Sequence, residues 1–266
     1  MSWIYIQICY THFMNRTELF GILNVTSDSF SDGGKYLAPE DAIARAEQMF
    51  QDGASYVDVG AESTRPGATA VPQEVELQRL DPVITALLEQ YPRLISLDSY
   101  NPDTIERYAE ISPTFIANDV TGFNNPRMIE IAAKFNLRCI LSHFPKKHTQ
   151  DIQAAHNDPV KINSLEQVLD EILEREAEMV AAGIPAQNII CDPGIGFGKT
   201  TKLNRALIEF ARYVPGHDVM IGYSKKKFLG EERFDIGTNL EAGILAIKSG
   251  ARYLRVHDVA GHSMLL

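Results

Sequence analysis

The stretch NIICDPGIGFGKT, residues 188–200, joins an apolar run to a carboxylate and three alternating glycines. Its spacing excludes two nucleotide-binding loops, because a Walker A loop needs a glycine where Pro193 stands and a dinucleotide fingerprint needs one at Lys199. The apolar residues instead predict a short buried strand that ends at Asp192 in a glycine turn. A predicted fold therefore has to explain why the Asp192 carboxylate lies at the end of this strand.

Seven further β-rich runs occur along the chain, which makes eight with the first. They are LFGILN (19–24), YVDVG (56–60), LISLD (94–98), FIAND (115–119), RCILSH (138–143), VMIGYS (219–224) and YLRVH (253–257). Most are continuously apolar, as in the strands of a parallel sheet that is covered on both faces. Helical periodicity lies between them, over 39–52, 72–90, 102–110, 126–135, 164–182 and 238–249.

This alternation predicts an α/β fold, a parallel eight-stranded (β/α)8 TIM barrel of about the usual size. A doubly wound open sheet is the alternative. Only DVAGHSMLL, residues 258–266, follows the eighth run, so we expect a shortened or missing final helix. Residues 1–18 are predicted to form an N-terminal extension and residues 19–266 a single domain.

Composition narrows the class of protein. The chain has 266 residues, of which 45% are hydrophobic, and its formal net charge of −10 argues against general nucleic-acid binding. No apolar run approaches the roughly 20 residues that span a bilayer, and the first residues lack the basic region and cleavage site of a signal peptide. The three cysteines show no CxxC spacing, which predicts buried free thiols and a cytoplasmic location.

The predicted strands share a polar residue at or near the C-terminal end. These residues are Asn24, Asp58, Asp98, Asn118 with Asp119, His143, Asp192, Ser224, and Arg255 with His257. In a barrel such ends converge on one rim, where barrel enzymes hold their active sites. We therefore expect a small-molecule site at this rim.

Two sets of groups can be distinguished by their hydrogen-bonding chemistry. One set contains acceptors that suit the paired N–H groups of a flat heterocycle, together with a lysine that can donate to the ring. The other set contains donors that suit a phosphate, together with one possible metal ligand. The first set is Asp98, Asn118, Asp192 and Lys226, and the second is Asn24, Arg255 and His257. Together they predict a site for a polar aromatic ring that carries a phosphorylated arm.

Less specific interpretations remain open for single residues. A lone aspartate at a strand end is often a helix cap, Arg255 could form a surface salt bridge, and His143 could simply be hydrogen-bonded inside the barrel mouth. The run SKKKF, residues 224–228, could be a solvated basic patch, although its place after a strand and before a helix start favours an anion site.

Six motifs in order resemble those of dihydropteroate synthase, and the resemblance covers residues 19–259. The motifs are GILNVTSDSFSDGG (21–34), DVGAESTRPGA (58–68), SLDSY (96–100), NDVTGF (118–123), DPGIGFGKT (192–200) and RVHDV (255–259). That family condenses 6-hydroxymethyl-7,8-dihydropterin diphosphate with p-aminobenzoate to give 7,8-dihydropteroate and pyrophosphate. The resemblance implies this activity and, with it, small-molecule substrates and a possible homodimer.

The resemblance also implies roles for residues at matching positions. Asp98, Asn118, Asp192, Phe197, Gly222 and Lys226 would contact the pterin. Asn24, Arg255 and His257 would hold the diphosphate, and Asn24 would also meet a bound Mg2+. Phe30, Thr64, Arg65, Pro66, Ser224 and Lys227 would frame p-aminobenzoate, with Phe30 and Asp32 closing over the site.

The implied mechanism is dissociative, with pyrophosphate leaving before the aryl amine attacks. Arg255, His257 and the metal would supply positive charge to the leaving group, while Asp98 and Asp32 would steady the developing cation. The implied catalytic residues are Asp98, Lys226, Arg255, His257 and Asp32.

The chain departs from the family pattern at four positions, Ser27, Ser142, Lys225 and Lys227. Two other activities are therefore weighed. A catalytically weakened homologue would bind the pterin without turnover. A methyltetrahydrofolate-type methyltransferase would share the pterin residues but needs no diphosphate clamp.

Overall fold

The computed structural model describes residues 17–26, 38–65, 67–148 and 151–266. Within them eight parallel strands form a closed barrel in sequence order. The strands are β1 (Glu18–Asn24), β2 (Tyr56–Gly60), β3 (Ile95–Asp98), β4 (Ile116–Asp119), β5 (Arg138–Ser142), β6 (Ile189–Asp192), β7 (Asp218–Ile221) and β8 (Tyr253–Val256). Closure occurs between β1 and β8, where Leu19 lies opposite Leu254. The barrel prediction is confirmed, and the open-sheet alternative is wrong.

Helices cover the outside of the barrel. The described residues contain α1 (Pro39–Gln51), α2 (Gln73–Gln90), α3 (Pro102–Ile111), α4 (Pro126–Lys134), α5 (Ile152–Asn157), α6 (Leu165–Ala181), α7 (Thr201–Ala206), α8 (Ile236–Ser249) and α9 (Val259–His262). Proline starts α1, α3 and α4, where its missing N–H costs no helical hydrogen bond. None of these helices combines the length and apolar character that a bilayer crossing requires.

The six helices predicted from periodicity are present with small shifts of their ends. Two helices were not expected. One is α7, which continues as a 3-10 helix over Leu207–Tyr213, and the other is α5, which lies in the segment after β5 that reads as irregular. After β8 the short α9 is followed by a 3-10 turn at Ser263–Leu265, as expected for a shortened final helix. The division at residue 18 stays a prediction, because residues 1–16 lie outside the described part.

The strand period places the site directly above a packed barrel interior. Six side chains fill that interior, one from each of six strands: Phe20, Ile116, Ile140, Ile190, Met220 and Tyr253. Because alternate residues of a strand point to the same face, the next inward position lies two residues further toward the C-terminal end. Two residues after Ile116, Ile190 and Tyr253 come Asn118, Asp192 and Arg255. An apolar floor therefore carries a polar layer at the rim.

Candidate active site

Arg255 lies inside the barrel mouth between two carboxylates. Its Nη1 is 3.4 Å from Asp58 Oδ2, and its Nη2 is 3.6 Å from Asp192 Oδ2. Only 11% of the arginine side chain is exposed. The surface salt-bridge interpretation of Arg255 is therefore wrong. The structure also joins the two predicted residue sets, because the arginine assigned to the phosphate contacts an acceptor assigned to the ring.

Asp58 is a member of this cluster that the sequence assigned no role. Its two carboxylate oxygens accept hydrogen bonds from Asn118 Nδ2 at 3.2 and 3.0 Å, and it is 2% exposed. A signal was present in the sequence, because Asp58 is the single charged residue of the buried run YVDVG. Gly60, rather than Asp58, forms the end of β2 beside Asp98.

Two buried acceptors of this cluster have no hydrogen bond from any described residue. They are Asn118 Oδ1 and Asp192 Oδ2, and the second is the atom that lies 3.6 Å from Arg255 Nη2. The other oxygen of Asp192 accepts from the backbone N–H of Gly194 at 2.8 Å, which fixes the carboxylate on its turn. Buried acceptors left open in this way are uncommon, so these two atoms are candidates for a hydrogen bond from a ligand.

The glycines of the loop after β6 allow a close approach of backbones. Gly194 has φ 61°, and a Cβ there would lie 2.0 Å from the carbonyl oxygen of His143. Gly198 has φ 60°, and a Cβ there would lie 2.5 Å from Pro145 Cγ. The loop is thus folded tightly onto the segment after β5, which is a different use of glycine from phosphate binding.

Lys199 holds this glycine loop from within. Its buried Nζ donates to the carbonyl oxygens of Gly194 at 2.8 Å, Phe197 at 3.1 Å and His143 at 3.2 Å. Burial lowers the pKa of Lys199 to about 7. With all three donors directed at backbone carbonyls, Lys199 acts in the loop and has no free donor for a phosphate.

Lys226 and Phe197 lie together at the side of the mouth. The Lys226 Nζ is 5.3 Å from the centroid of the Phe197 ring and donates to the carbonyl oxygen of Ile195. Burial lowers the pKa of Lys226 to about 8. Gly222 leaves room for the arginine, because a Cβ there would lie 3.2 Å from Arg255 Nε.

The surroundings of Asp98 favour its protonated form. Burial and the negative charge of Asp58 raise its pKa to about 8, while Arg255 acts in the opposite direction. The sequence interpretation required an ionised Asp98 that steadies a cation. A ligand with positive charge or N–H donors would favour that ionised form.

The surroundings of His257 favour its neutral form, whereas the sequence interpretation has this residue supply positive charge. Burial, followed by the charge of Lys225 and other cations, lowers its pKa to about 3. Its Nδ1 lies 3.1 Å from Ser224 Oγ, which also accepts from the His257 backbone N–H at 3.3 Å. A neutral imidazole still donates one N–H to a phosphate oxygen.

Helix α5 makes hydrogen bonds to the loop that follows β2, here called the β2 loop. The Gln153 side chain accepts from Gly67 N at 2.8 Å and donates to Arg65 O at 3.0 Å. His156 Nε2 lies 2.9 Å from Thr64 O, and its ring centroid is 5.4 Å from that of Phe197. This contact connects the loop that carries Thr64 and Arg65 to the glycine loop.

Several other predicted residues either lie outside the described part of the chain or are exposed after β7. Phe30, Asp32, Pro66 and the variant position Ser27 lie outside the described residues. Lys225 and Lys227 are exposed after β7, and a 3-10 turn follows Lys226. The helix that starts at this point is the short 3-10 segment Lys227–Leu229, and α8 begins only at Ile236.

His143 fits the simpler of its two interpretations. Its Nε2 lies 2.9 Å from Glu171 Oε2, and burial lowers its pKa to about 4. The preceding Ser142 is buried at the end of β5. We assign His143 a role in packing the mouth.

Asn24 is half-buried at the C-terminal end of β1, beside Gly60 of β2. Across the described residues no three histidine, cysteine, aspartate or glutamate side chains are grouped to bind a metal ion. A magnesium ion held mainly by a substrate diphosphate needs few protein ligands, and the Asn24 carboxamide oxygen is of the hard type that it prefers. The residues present fit such a sparse site.

Comparison with known proteins agrees with this geometry. A family model described as pterin binding enzyme matches residues 20–257. The dihydropteroate synthase of Clostridium beijerinckii is 36% identical over 258 residues, covering 93% of this chain and 91% of the relative. The Xanthomonas albilineans dihydropteroate synthase with 4-aminobenzoic acid has a TM-score of 0.80 at 36% identity, covering 94% of this chain and 90% of that one.

A third similar structure carries a pterin compound. The Anaplasma phagocytophilum dihydropteroate synthase with bound 6-hydroxymethylpterin-monophosphate has a TM-score of 0.78 at 26% identity, covering 93% of this chain and 96% of that one. Fold and mouth together define a barrel enzyme that binds a flat polar ring. The chain belongs to the pterin binding enzyme family, among its dihydropteroate synthases. These are transferases, and the methyltransferase alternative is not retained.

Proposed function

We propose that the barrel mouth condenses 6-hydroxymethyl-7,8-dihydropterin diphosphate with p-aminobenzoate, with the division of roles given below. The observation that carries this assignment is the pair of open acceptors, Asn118 Oδ1 and Asp192 Oδ2, at the same mouth as the Arg255 guanidinium. A flat ring with neighbouring N–H groups satisfies both acceptors, while its charged arm reaches the cationic side. The relatives with bound 4-aminobenzoic acid and with a bound pterin monophosphate support both substrates.

The ring lies between the acceptors and Phe197, and Lys226 donates to it. Lys226 is suited to this because its ammonium already lies within 5.3 Å of the Phe197 ring centroid. Gly222 keeps the floor of the pocket open beside Arg255. Asp98 completes the ring pocket and ionises as the ligand binds.

The diphosphate is held by Arg255 as the permanent cation and by His257 as a hydrogen-bond donor. Asn24 would contribute one oxygen to a magnesium ion bound with the diphosphate, and such an ion would supply positive charge for the pyrophosphate leaving group. Thr64, Arg65, Ser224 and Lys227 frame p-aminobenzoate, and the roles of Phe30, Pro66 and Asp32 stay predictions outside the described residues.

In the reaction the bond between the pterin methylene and the diphosphate oxygen breaks, and pyrophosphate leaves with the electron pair. The amine nitrogen of p-aminobenzoate then forms the C–N bond and releases a proton. Arg255 favours departure because it places positive charge where negative charge develops. Asp98, once ionised, stabilises the cationic methylene.

A homodimer and a cytoplasmic location complete the proposal. Apolar side chains are exposed on α8 and on the 3-10 turns that pack against it: Phe234, Ile236, Ile244, Leu245 and Met264. A second copy of the chain would cover this surface. Cys139 and Cys191 are free and buried, as expected in a reducing compartment.

The test is pyrophosphate release with and without p-aminobenzoate. We expect release that depends on p-aminobenzoate, loss of pterin binding in Asp192→Ala and slowed turnover in Arg255→Ala. Pterin binding without turnover would identify a catalytically weakened homologue. Normal turnover in both variants would show that the site is wrong.

A further inference from the structure

Asp58 joins three strands of the barrel at the floor of the mouth. It accepts from Asn118 on β4 at 3.0 and 3.2 Å and lies 3.4 Å from Arg255 on β8. Its exposure of 2% leaves it almost no contact with the space that a ligand would fill. Asp58 is thus placed to act on its neighbours rather than on a substrate.

The first neighbour is the Asn118 amide, whose orientation depends on Asp58. Both Asp58 oxygens accept hydrogen bonds from the Asn118 NH2 group, so that group faces Asp58. The Asn118 oxygen is then directed to the mouth, where it has no hydrogen-bond partner among the described residues. Asp58 therefore makes Asn118 an acceptor for the ligand.

The second neighbour is the Arg255 guanidinium, which Asp58 holds from one side. Asp192 holds it from the other at 3.6 Å, and Gly222 allows the planar group to lie against the backbone just after β7. Removing the charge at Asp58 would leave a buried cation with one carboxylate partner instead of two.

We propose that Asp58 is a positioning residue that sets the hydrogen-bond polarity of Asn118 and the place of Arg255. This inference deepens the proposed function and rests on it. Asp58 acts through the two side chains and does not touch the reacting atoms.

The test is a double-mutant cycle with Asp58→Asn and Asn118→Ala, measured as kcat/KM for the pterin diphosphate. An amide at 58 can accept or donate, so it no longer enforces the orientation of Asn118. We expect Asp58→Asn to lower kcat/KM about 10- to 100-fold in the wild-type background and clearly less when Asn118 is already absent. Equal losses in both backgrounds would overturn the positioning role.

Ser96→Ala is the matched control, because Ser96 lies opposite Asp58 in the β2–β3 register and its Oγ has no hydrogen bond from a described residue. We expect kcat/KM to stay within about twofold of wild type. A loss as large as that of Asp58→Asn would show that any disturbance of this layer is sufficient, and would overturn the proposal.

A measurement on the wild-type protein covers the case in which Asp58→Asn does not fold. Side-chain amide NMR should show slowly exchanging Asn118 NH2 protons both without ligand and with 6-hydroxymethylpterin. Rapid exchange in either state would contradict the proposal. Wild-type protein that neither binds the pterin nor releases pyrophosphate would overturn the proposed function as well, whereas normal turnover with additive variants overturns the positioning role alone.

Discussion

Burial and the neighbouring Asp58 carboxylate both raise the pKa of Asp98. The unfolded chain ionises this acid near pH 4, whereas its pKa is raised to about 8 in the folded protein. Between these values the folded state binds more protons, so this contribution to the free energy of unfolding falls as pH rises from about 4 to about 8. The charged groups acting on Asp98 are Asp58, Arg255, Asp119, Glu76 and Lys226.

We therefore predict that Asp98→Asn reduces the loss of stability between pH 5 and pH 9. Urea unfolding of the wild type and the variant at both pH values measures the difference. Groups shared by the two proteins cancel in this comparison. An equal loss in both proteins would show that Asp98 ionises normally.

Most residues of the mouth could be predicted because the alternation of side chains along a strand, and the point where a strand ends, are local properties of the sequence. Asn118, Asp192 and Arg255 each lie two residues beyond an apolar floor residue, which the strand alternation already encodes. The lowered pKa of His257 was not predictable, because it depends on burial and on cations from other loops. The contact of Asp58 with Arg255 likewise depends on closure between β1 and β8, far apart in the chain.

At the scale of the elements, the glycine loop after β6 packs its backbone closely against the backbone of the segment after β5. Gly194→Ala places a Cβ 2.0 Å from a carbonyl oxygen at a positive φ, so the loop must move. Gly216 also has a positive φ, of 89°, but has open space around it. We predict that Gly216→Ala costs about 1–2 kcal/mol and Gly194→Ala about 3 kcal/mol or more.

Denaturant unfolding of the two glycine variants measures this difference. Because both residues have a positive φ, the excess in Gly194→Ala reports mainly the close contact. Equal costs would mean that the approach to His143 is relaxed in solution.

The contact between α5 and the β2 loop yields a prediction about the second substrate. Gln153→Ala removes the hydrogen bonds to Arg65 O and Gly67 N. Each contributes about 0.5–1.5 kcal/mol, so we expect KM for p-aminobenzoate to rise about 3- to 10-fold with kcat/KM for the pterin diphosphate unchanged.

The control is Gln48→Ala on α1, where the glutamine side chain donates to Asp52. Steady-state kinetics with each substrate varied separately distinguishes the outcomes. A rise of both KM values would assign α5 a general role in stability. This helix escaped the sequence prediction because six residues are too few for a periodicity to be recognised.

At the scale of the whole molecule, α8 and the 3-10 turns beside it carry an exposed apolar surface within the described residues. Leu245 on this surface is 46% exposed. We predict that the wild type has the mass of two chains by light scattering and that Leu245→Glu has the mass of one. Val180→Glu on α6, where the valine is 42% exposed, should remain dimeric. Wild-type protein of single-chain mass would contradict the homodimer.

In the proposed site, one mouth holds the pterin ring between side chains from separate strands. A crystal structure with bound 6-hydroxymethylpterin is the decisive measurement. We expect the ring above the apolar floor, with Asn118 Oδ1 and Asp192 Oδ2 each accepting from it and Lys226 donating to it. A ring bound elsewhere, or a mouth in which these two oxygens receive no hydrogen bond from the ligand, would show that the proposed site is wrong.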